Sequence, residues 1–286
     1  MAYQIQNGLV PGSVNPAAPG PIGNTTPSTG AFTTLSASGL ISPASTVGIA
    51  GTVTNDSVQA GSIGEYQATT MTQVAATGTV FTMATTNVCS LTSAAGLNNL
   101  QAVTVSTSSA LPTGLSATTN YYISNLNVGA LTCNLSTSLA NAIAGTVITT
   151  TGNGTGTQTL HGAASFVTST NTYDICGLAL TAGDWDVDAV VFPGEASSVS
   201  VTTWELWIAQ AGGSTVPTTA ANILAQGLAG NQVATASTSA ANNTWATSGT
   251  LRISLASAGY LALAGNATFT VGTLSPQALL RARRVR

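Results

Sequence analysis

Lysine is absent from this chain, whose 286 residues include only five arginines and eight acidic side chains. Charged residues make up 5% of it, against about 25% in ordinary soluble proteins. Acid–base and nucleophilic catalysis draw on such groups, so an enzyme is the function class that this scarcity argues against. There is one histidine, His161. Any imidazole-based triad must use it, and no acid lies near it in sequence. Long apolar runs are missing as well. Gly259–Ala264 and Phe269–Leu274 fall far short of the ~20 residues of a spanning helix, so no membrane partner is expected. The segment Met1-Ala2-Tyr3-Gln4-Ile5-Gln6 lacks the basic flank and apolar stretch of a secretory signal, which leaves the product in the cytoplasm of its maker. Cys89, Cys133 and Cys176 are an odd number at wide spacing. That fits buried free thiols better than a disulfide framework or a four-ligand zinc site.

What the chain does contain is 44% hydrophobic residues among abundant Ser, Thr, Asn and Gly. This is enough apolar surface to offset ordering entropy, so low charge does not mean disorder. With little charge to block edge-to-edge pairing, solubility falls to hydroxyls and amides, or to sister chains that cover the sheet edges. Self-association is the expectation.

Three stretches follow along the chain. Residues 1–64 carry Pro11, Pro16, Pro19, Pro21, Pro27 and Pro43, which exclude long helices and favour an extended shaft with an N-terminal anchor. The small apolar row Phe32, Leu35, Leu40, Ile41, Val47, Ile49 and Val53 could be buried by three strands wound together. Residues 65–162 read as a small all-β module with strands at Thr79–Met83, Ala102–Thr107, Tyr121–Asn125, Leu131–Ser136 and Thr146–Thr150. The helical signals there, Ala94–Leu100 and Ser136–Ala144, are at most about two turns each. Residues 163–286 predict longer strands at Thr172–Leu180, Asp184–Phe192, Ser200–Ala209, Gly249–Ala256, Gly259–Ala264, Ala267–Leu274 and Gln277–Val285. Their number and spacing suggest a jelly-roll-like β-sandwich, its core supplied by Trp185, Trp204, Trp207 and Phe269.

The segment Pro21-Ile22-Gly23-Asn24-Thr25-Thr26-Pro27-Ser28-Thr29-Gly30-Ala31-Phe32-Thr33-Thr34-Leu35-Ser36-Ala37-Ser38-Gly39 closely resembles a linker found in tail-fibre and virion-fibre proteins of tailed bacteriophages. Leu180-Thr181-Ala182-Gly183-Asp184-Trp185-Asp186-Val187 and the terminal Arg281-Ala282-Arg283-Arg284-Val285-Arg286 are similar to stretches of phage structural proteins with a C-terminal β-sandwich. Leu111-Pro112-Thr113-Gly114-Leu115 followed by Asn120-Tyr121-Tyr122-Ile123 resembles a small domain that recurs as an insertion in such proteins. Glu65–Ala75 resembles a first strand leading into the sandwich, and this resemblance allows the middle module to be an insertion within it.

The resemblance implies an intertwined homotrimeric fibre or spike of a virion, assembled in the host bacterial cytoplasm. Its N-terminus would attach to capsid, neck or tail proteins, with Met1, Tyr3, Ile5, Leu9 and Val10 as the anchor, and its distal β-knob would face outward. The alternative within the same architecture is a receptor-binding adhesin for a host-surface glycan. A polysaccharide-degrading enzyme ranks last, since it would rest on Glu195 and Glu205, which nothing singles out. No cofactor is implied.

The candidate chemistry sits in the third stretch. Asp184, Asp186 and Asp188 alternate along one strand and share a face about 7 Å apart. That spacing is too wide for one calcium ion without help from loops, so ion pairing with Arg281, Arg283 and Arg284, between strands or between subunits, is preferred to a metal site. Four of the five arginines lie in the last six residues, and the pairing would explain that crowding; Asp186 and Arg283 are the pair to reverse together. The arginine tail could instead grip nucleic acid, but the chain has no lysine and a net charge of −3, so no nucleic-acid partner is expected. Asn153-Gly154-Thr155-Gly156-Thr157 reads as a turn and not a phosphate loop, because no lysine exists and no helix follows.

Overall fold

The computed structural model describes residues 63–71, 78–83, 87–117, 119–162, 165, 167–169, 171–192, 194, 199, 201–211, 246–270 and 272–285. The shaft expected over 1–64, apart from its last two residues, the anchor residues Met1, Tyr3, Ile5, Leu9 and Val10, and also Glu195 and Arg286, lie outside these, as do the side chains of Trp204 and Glu205.

The described part is nearly all β. In chain order its elements are β1 (Tyr66–Met71), β2 (Thr79–Thr82), β3 (Cys89–Leu91), β4 (Ala102–Thr107), β5 (Tyr121–Asn127), β6 (Thr132–Ser136), α1 (Leu139–Ala144), β7 (Gln158–His161), β8 (Thr172–Leu180), β9 (Gly183–Phe192), β10 (Val201–Ala211), β11 (Ala246–Thr247), β12 (Leu251–Leu255), β13 (Gly259–Phe269) and β14 (Gln277–Arg284). One sheet runs β1-β14-β9-β11, with β12 also on β9; a second runs β10-β13-β8; and β2-β3-β6-β5-β4-β7 close into a barrel. Every ladder is antiparallel.

The two sheets share one core. Strand β9 alternates, sending Trp185, Val187, Ala189 and Val191 inward. Leu251, Ile253 and Leu255 of β12 and Ala278, Leu280 and Ala282 of β14 join them, facing Ile175, Leu178, Leu206, Ile208, Leu261 and Leu263 from the second sheet. Each fully buried aliphatic side chain contributes about 1.5–3 kcal/mol, so this alternation fixes which face is core and which is outside. The barrel encloses a separate core of Phe81, Met83, Val103, Val105, Tyr121, Ile123, Leu135 and Leu160.

Strand β1 pairs along its whole length with β14, from Tyr66↔Arg283 to Met71↔Ala278. The barrel strands therefore fall between β1 and β8 in the chain while β1 itself belongs to the sheet of β14. The barrel also covers an otherwise bare edge of the second sheet. Leu100 O accepts from Gly177 N at 2.8 Å, and Gln101 bridges Cys176, so this middle part of β8's outer side is not left to pair with another chain.

Three local expectations are corrected. Gly265-Asn266 reads as a turn in the sequence, but β13 runs straight through it. Both residues are paired on β10, to Leu206 and Glu205, and on β8, to Tyr173 and Thr172, and a strand hydrogen-bonded on both sides overrides local turn preference. Thr146–Thr150 is extended but joins no ladder; it is held by Ile148 N to Leu135 O and by Ser136 Oγ to Thr146 O, each 2.8 Å. Ala94–Leu100 forms turns, not a helix, and ends at Leu100 with a φ of 62°. The one helix among the described residues, α1, starts where Ser138 Oγ accepts from Asn141 N and stops at Gly145, whose φ of 74° is the left-handed conformation that glycine adopts freely.

Candidate functional site

Charge in the described residues concentrates on the outer face of the first sheet. The alternation that buries Trp185 and Val187 turns Asp184, Asp186 and Asp188 outward. The same period in β14 turns Arg281 and Arg283 outward, and in β12 it does so for Arg252 and Ser254. Register then aligns them across the sheet. Tyr66, Arg283, Asp186 and Arg252 form one row over four strands. Arg281 stands opposite Asp188 in the next, and Ser254 opposite Asp184 on the other side.

Within these rows Arg281 Nε donates to Asp188 Oδ1 at 2.7 Å, and Arg252 Nε donates to Asp186 Oδ1 at 2.5 Å. Ser254 Oγ donates to Asp184 Oδ1. The hydrogen bond to Asp186, with the charges of Asp186 and Asp184, pushes the exposed Arg252 guanidinium further up. Asp186 thus stands between two arginines and binds Arg252, while Arg283 makes no ion pair among the described residues. Arg283, Arg281, Asp186, Asp188, Thr250 and Tyr66 line a cleft of about 470 Å³. The exposed Tyr66 ring forms one wall.

Arg284 does not pair with the aspartates. One residue on from Arg283, it points to the opposite, inner face, where its partner is Glu65. The Nε–Oε2 distance is 3.0 Å, and the two side chains are 4% and 2% exposed. The guanidinium lies 4.5 Å from the centre of the Trp185 ring and donates through Nη1 to Ala182 O at 2.6 Å and through Nη2 to Thr181 Oγ1. Trp185 Nε1 donates to Thr181 O at 3.0 Å. Thr181-Ala182 is where the chain crosses from β8 in one sheet to β9 in the other, so this buried cluster pins the corner between them.

The three aspartates do not converge on a metal. Among the described residues no group of three or more His, Cys, Asp or Glu side chains is placed to hold one, and each aspartate faces a guanidinium or a hydroxyl instead. Asn153–Thr157 packs tightly against Ser108–Leu111. A Cβ on Gly154 would lie 2.6 Å from Ala110 O and one on Gly156 2.5 Å from Ser108 Oγ, so glycine is there for close approach of backbone. His161 sits on β7 with Nε2 2.8 Å from Ser106 Oγ, and burial lowers its pKa. Glu205 is on β10, and Trp207 on the same strand is half-buried.

Arg252, Glu65 and Tyr66 were missed by sequence reasoning. The alternation Leu251-Arg252-Ile253-Ser254-Leu255 carried a usable signal, since it puts Arg252 outward if Leu251 is core. Glu65 had none, because its partner lies 219 residues away.

No family model and no curated protein sequence matches the chain. Among solved structures, one titled "Structure of infectious bursal disease virus Gx strain" aligns over 76% of this chain and 70% of its own, at 10% identity and a TM-score of 0.26. At that level neither fold nor function transfers.

Proposed function

We propose that the chain is a structural subunit of a virion and not an enzyme: a fibre or spike of a tailed phage, built as a homotrimer, attached through its N-terminus and ending in a jelly-roll-like knob. The observation that carries this reading is how the scarce charge is used. Arg281–Asp188, Arg252–Asp186 and Arg284–Glu65 each join two strands or a strand to its approach, so the charged groups serve as ties within a sheet. A chain so poor in charge and rich in Ser, Thr, Asn and Gly suits a protein whose neighbours are copies of itself and other particle proteins. The linker-like segment Pro21–Gly39 supports the phage assignment. Sedimentation of the full chain at a trimer's mass, together with antibody labelling at the particle surface, is the expected result. A monomer at micromolar concentration, or particles that lack the chain, would overturn it.

A glycan-binding adhesin is the second reading, favoured by the exposed Tyr66 ring beside Arg283 and the carboxylates of Asp186 and Asp188. Aromatic faces stack on sugar rings, and such polar groups exchange hydrogen bonds with hydroxyls. Binding of the full chain on a glycan array, lost in Tyr66→Ala, supports it; an unchanged array profile in that variant, or no binding at all, dismisses it.

A further inference from the structure

We propose that Cys89 and Cys133 are a redox-modification site: exposed to a peroxide, the folded chain joins them in a disulfide across the barrel wall. The two residues stand directly opposite in the ladder between β3 and β6, and both are buried within the barrel. Both side chains point to the same, inner face of that ladder. Opposed residues of an antiparallel pair hold their Cα atoms about 4.5 or 5.5 Å apart, inside the span of about 4.4–6.8 Å that a disulfide bridges. The span between the two Cα atoms is therefore one that a disulfide can bridge. Cys176, the remaining free thiol, belongs to the other core, beside Ile175 and Leu178 on β8, and has no thiol opposite it.

The chemistry balances with one peroxide. The Cys133 sulfur attacks one oxygen of hydrogen peroxide, the O–O bond breaks, and the thiol proton leaves with the departing hydroxide as water; Cys133 is now a sulfenic acid. The Cys89 sulfur attacks the Cys133 sulfur, the S–O bond breaks, and the hydroxyl takes the Cys89 proton as a second water. Two thiols lose two electrons and the peroxide gains them.

The link would fall at a sparse seam. Strand β3 has three residues, paired to β2 only at Phe81↔Leu91 and Thr82↔Ser90 and to β6 only at Cys89↔Cys133 and Ser90↔Thr132. A covalent bond there closes the chain between Cys89 and Cys133 into a loop and restricts the unfolded state.

The test incubates the full-length chain with hydrogen peroxide, blocks remaining thiols after unfolding, and maps peptic peptides without reductant. The expected product is a Cys89–Cys133 linked peptide lacking two hydrogens, with a raised Tm that reverts on reduction. Cys176→Ser should behave as the parent does, and Cys89→Ser should lose the linked peptide. Blockable thiols at both positions after treatment, sulfinic acids without a link, or a link to Cys176 would overturn the proposal. The peptide map of the unsubstituted chain decides the question even if Cys89→Ser fails to fold.

Discussion

Arg284 donates from Nε to Glu65 Oε2 at 3.0 Å across 219 residues of sequence, with both side chains almost wholly buried. Backbone bonds frame the pair, since Arg284 N donates to Glu65 O at 2.8 Å and Gly64 N to Arg284 O at 2.9 Å. Gln67 Nε2 donates to Glu65 Oε1 at 3.1 Å. Two desolvated charges are tolerable only with such a full set of partners, and removing one of them strands the other.

Arg284→Met should accordingly lower unfolding free energy by about 3–5 kcal/mol, because it leaves the Glu65 carboxylate buried without its counter-charge. Replacing both, Glu65→Gln with Arg284→Met, should recover part of the loss. Urea unfolding of the four species measures this, and additive losses would show that the pair is not coupled.

Gly177 marks the seam between barrel and sheet. A Cβ there would meet Leu100 Cβ and Leu139 Cδ1 at 3.1 Å each, so Gly177→Ala should wedge the barrel away from β8 and cost about 1–3 kcal/mol, the usual range for overpacking. Faster hydrogen exchange at Gln101 and Tyr122, with barrel-interior amides such as Ile123 less affected, would locate the damage at the seam. A stability equal to the parent's would show that the seam can relax.

Period-2 alternation made much of this architecture legible. Strands β4 and β8 match their expected spans, and Asp184, Asp186 and Asp188 share a face as the pleat requires. Partner choice was not legible. Arg283 and Arg284 are neighbours in sequence, yet the same pleat sends one to solvent and the other to Glu65. Asp186 could reach an arginine on either flanking strand, and only register and side-chain geometry give it to Arg252. Strands β3 and β7 were invisible because three or four residues carry too little pattern, and barrel closure rather than local preference holds them.

The outer face offers a test of that partner choice. Reversing Asp188 and Arg281 singly should each cost stability, and reversing both should restore it. With side chains 46% and 25% exposed, a coupling of about 0.2–1 kcal/mol is expected, shrinking as salt is raised. For Asp186, rescue should come from reversing Arg252 and not Arg283. Rescue by Arg283 alone would assign the pair differently.

Asp174 sets an acid-side signature. It lies beside a bulge where β8 shifts register against β13, between Leu263↔Cys176 and Ala264↔Asp174. Its Oδ1 has no hydrogen-bond partner, and burial pushes its carboxyl up from 3.8 to about 7. Tyr122, which donates to Asp174 O at 3.1 Å, and Cys176 are the titratable groups beside it, and both are themselves pushed up, chiefly by burial. A carboxyl whose folded pKa exceeds its unfolded value binds its proton more tightly in the native chain. Stability from this group is therefore fully present below about pH 4 and is lost as pH rises towards 7, at up to about 1.4 kcal/mol per pH unit. His161, lowered by burial, acts in the opposite sense and costs stability as pH falls below its ordinary value of 6.5. The two are separable. Asp174→Asn should flatten the decline between pH 4 and 7 and leave the chain more stable at pH 7 than the parent, whereas His161→Gln should leave that decline in place. An unchanged slope in Asp174→Asn, measured by urea unfolding across this range, would mean that the carboxyl is solvated in the folded chain.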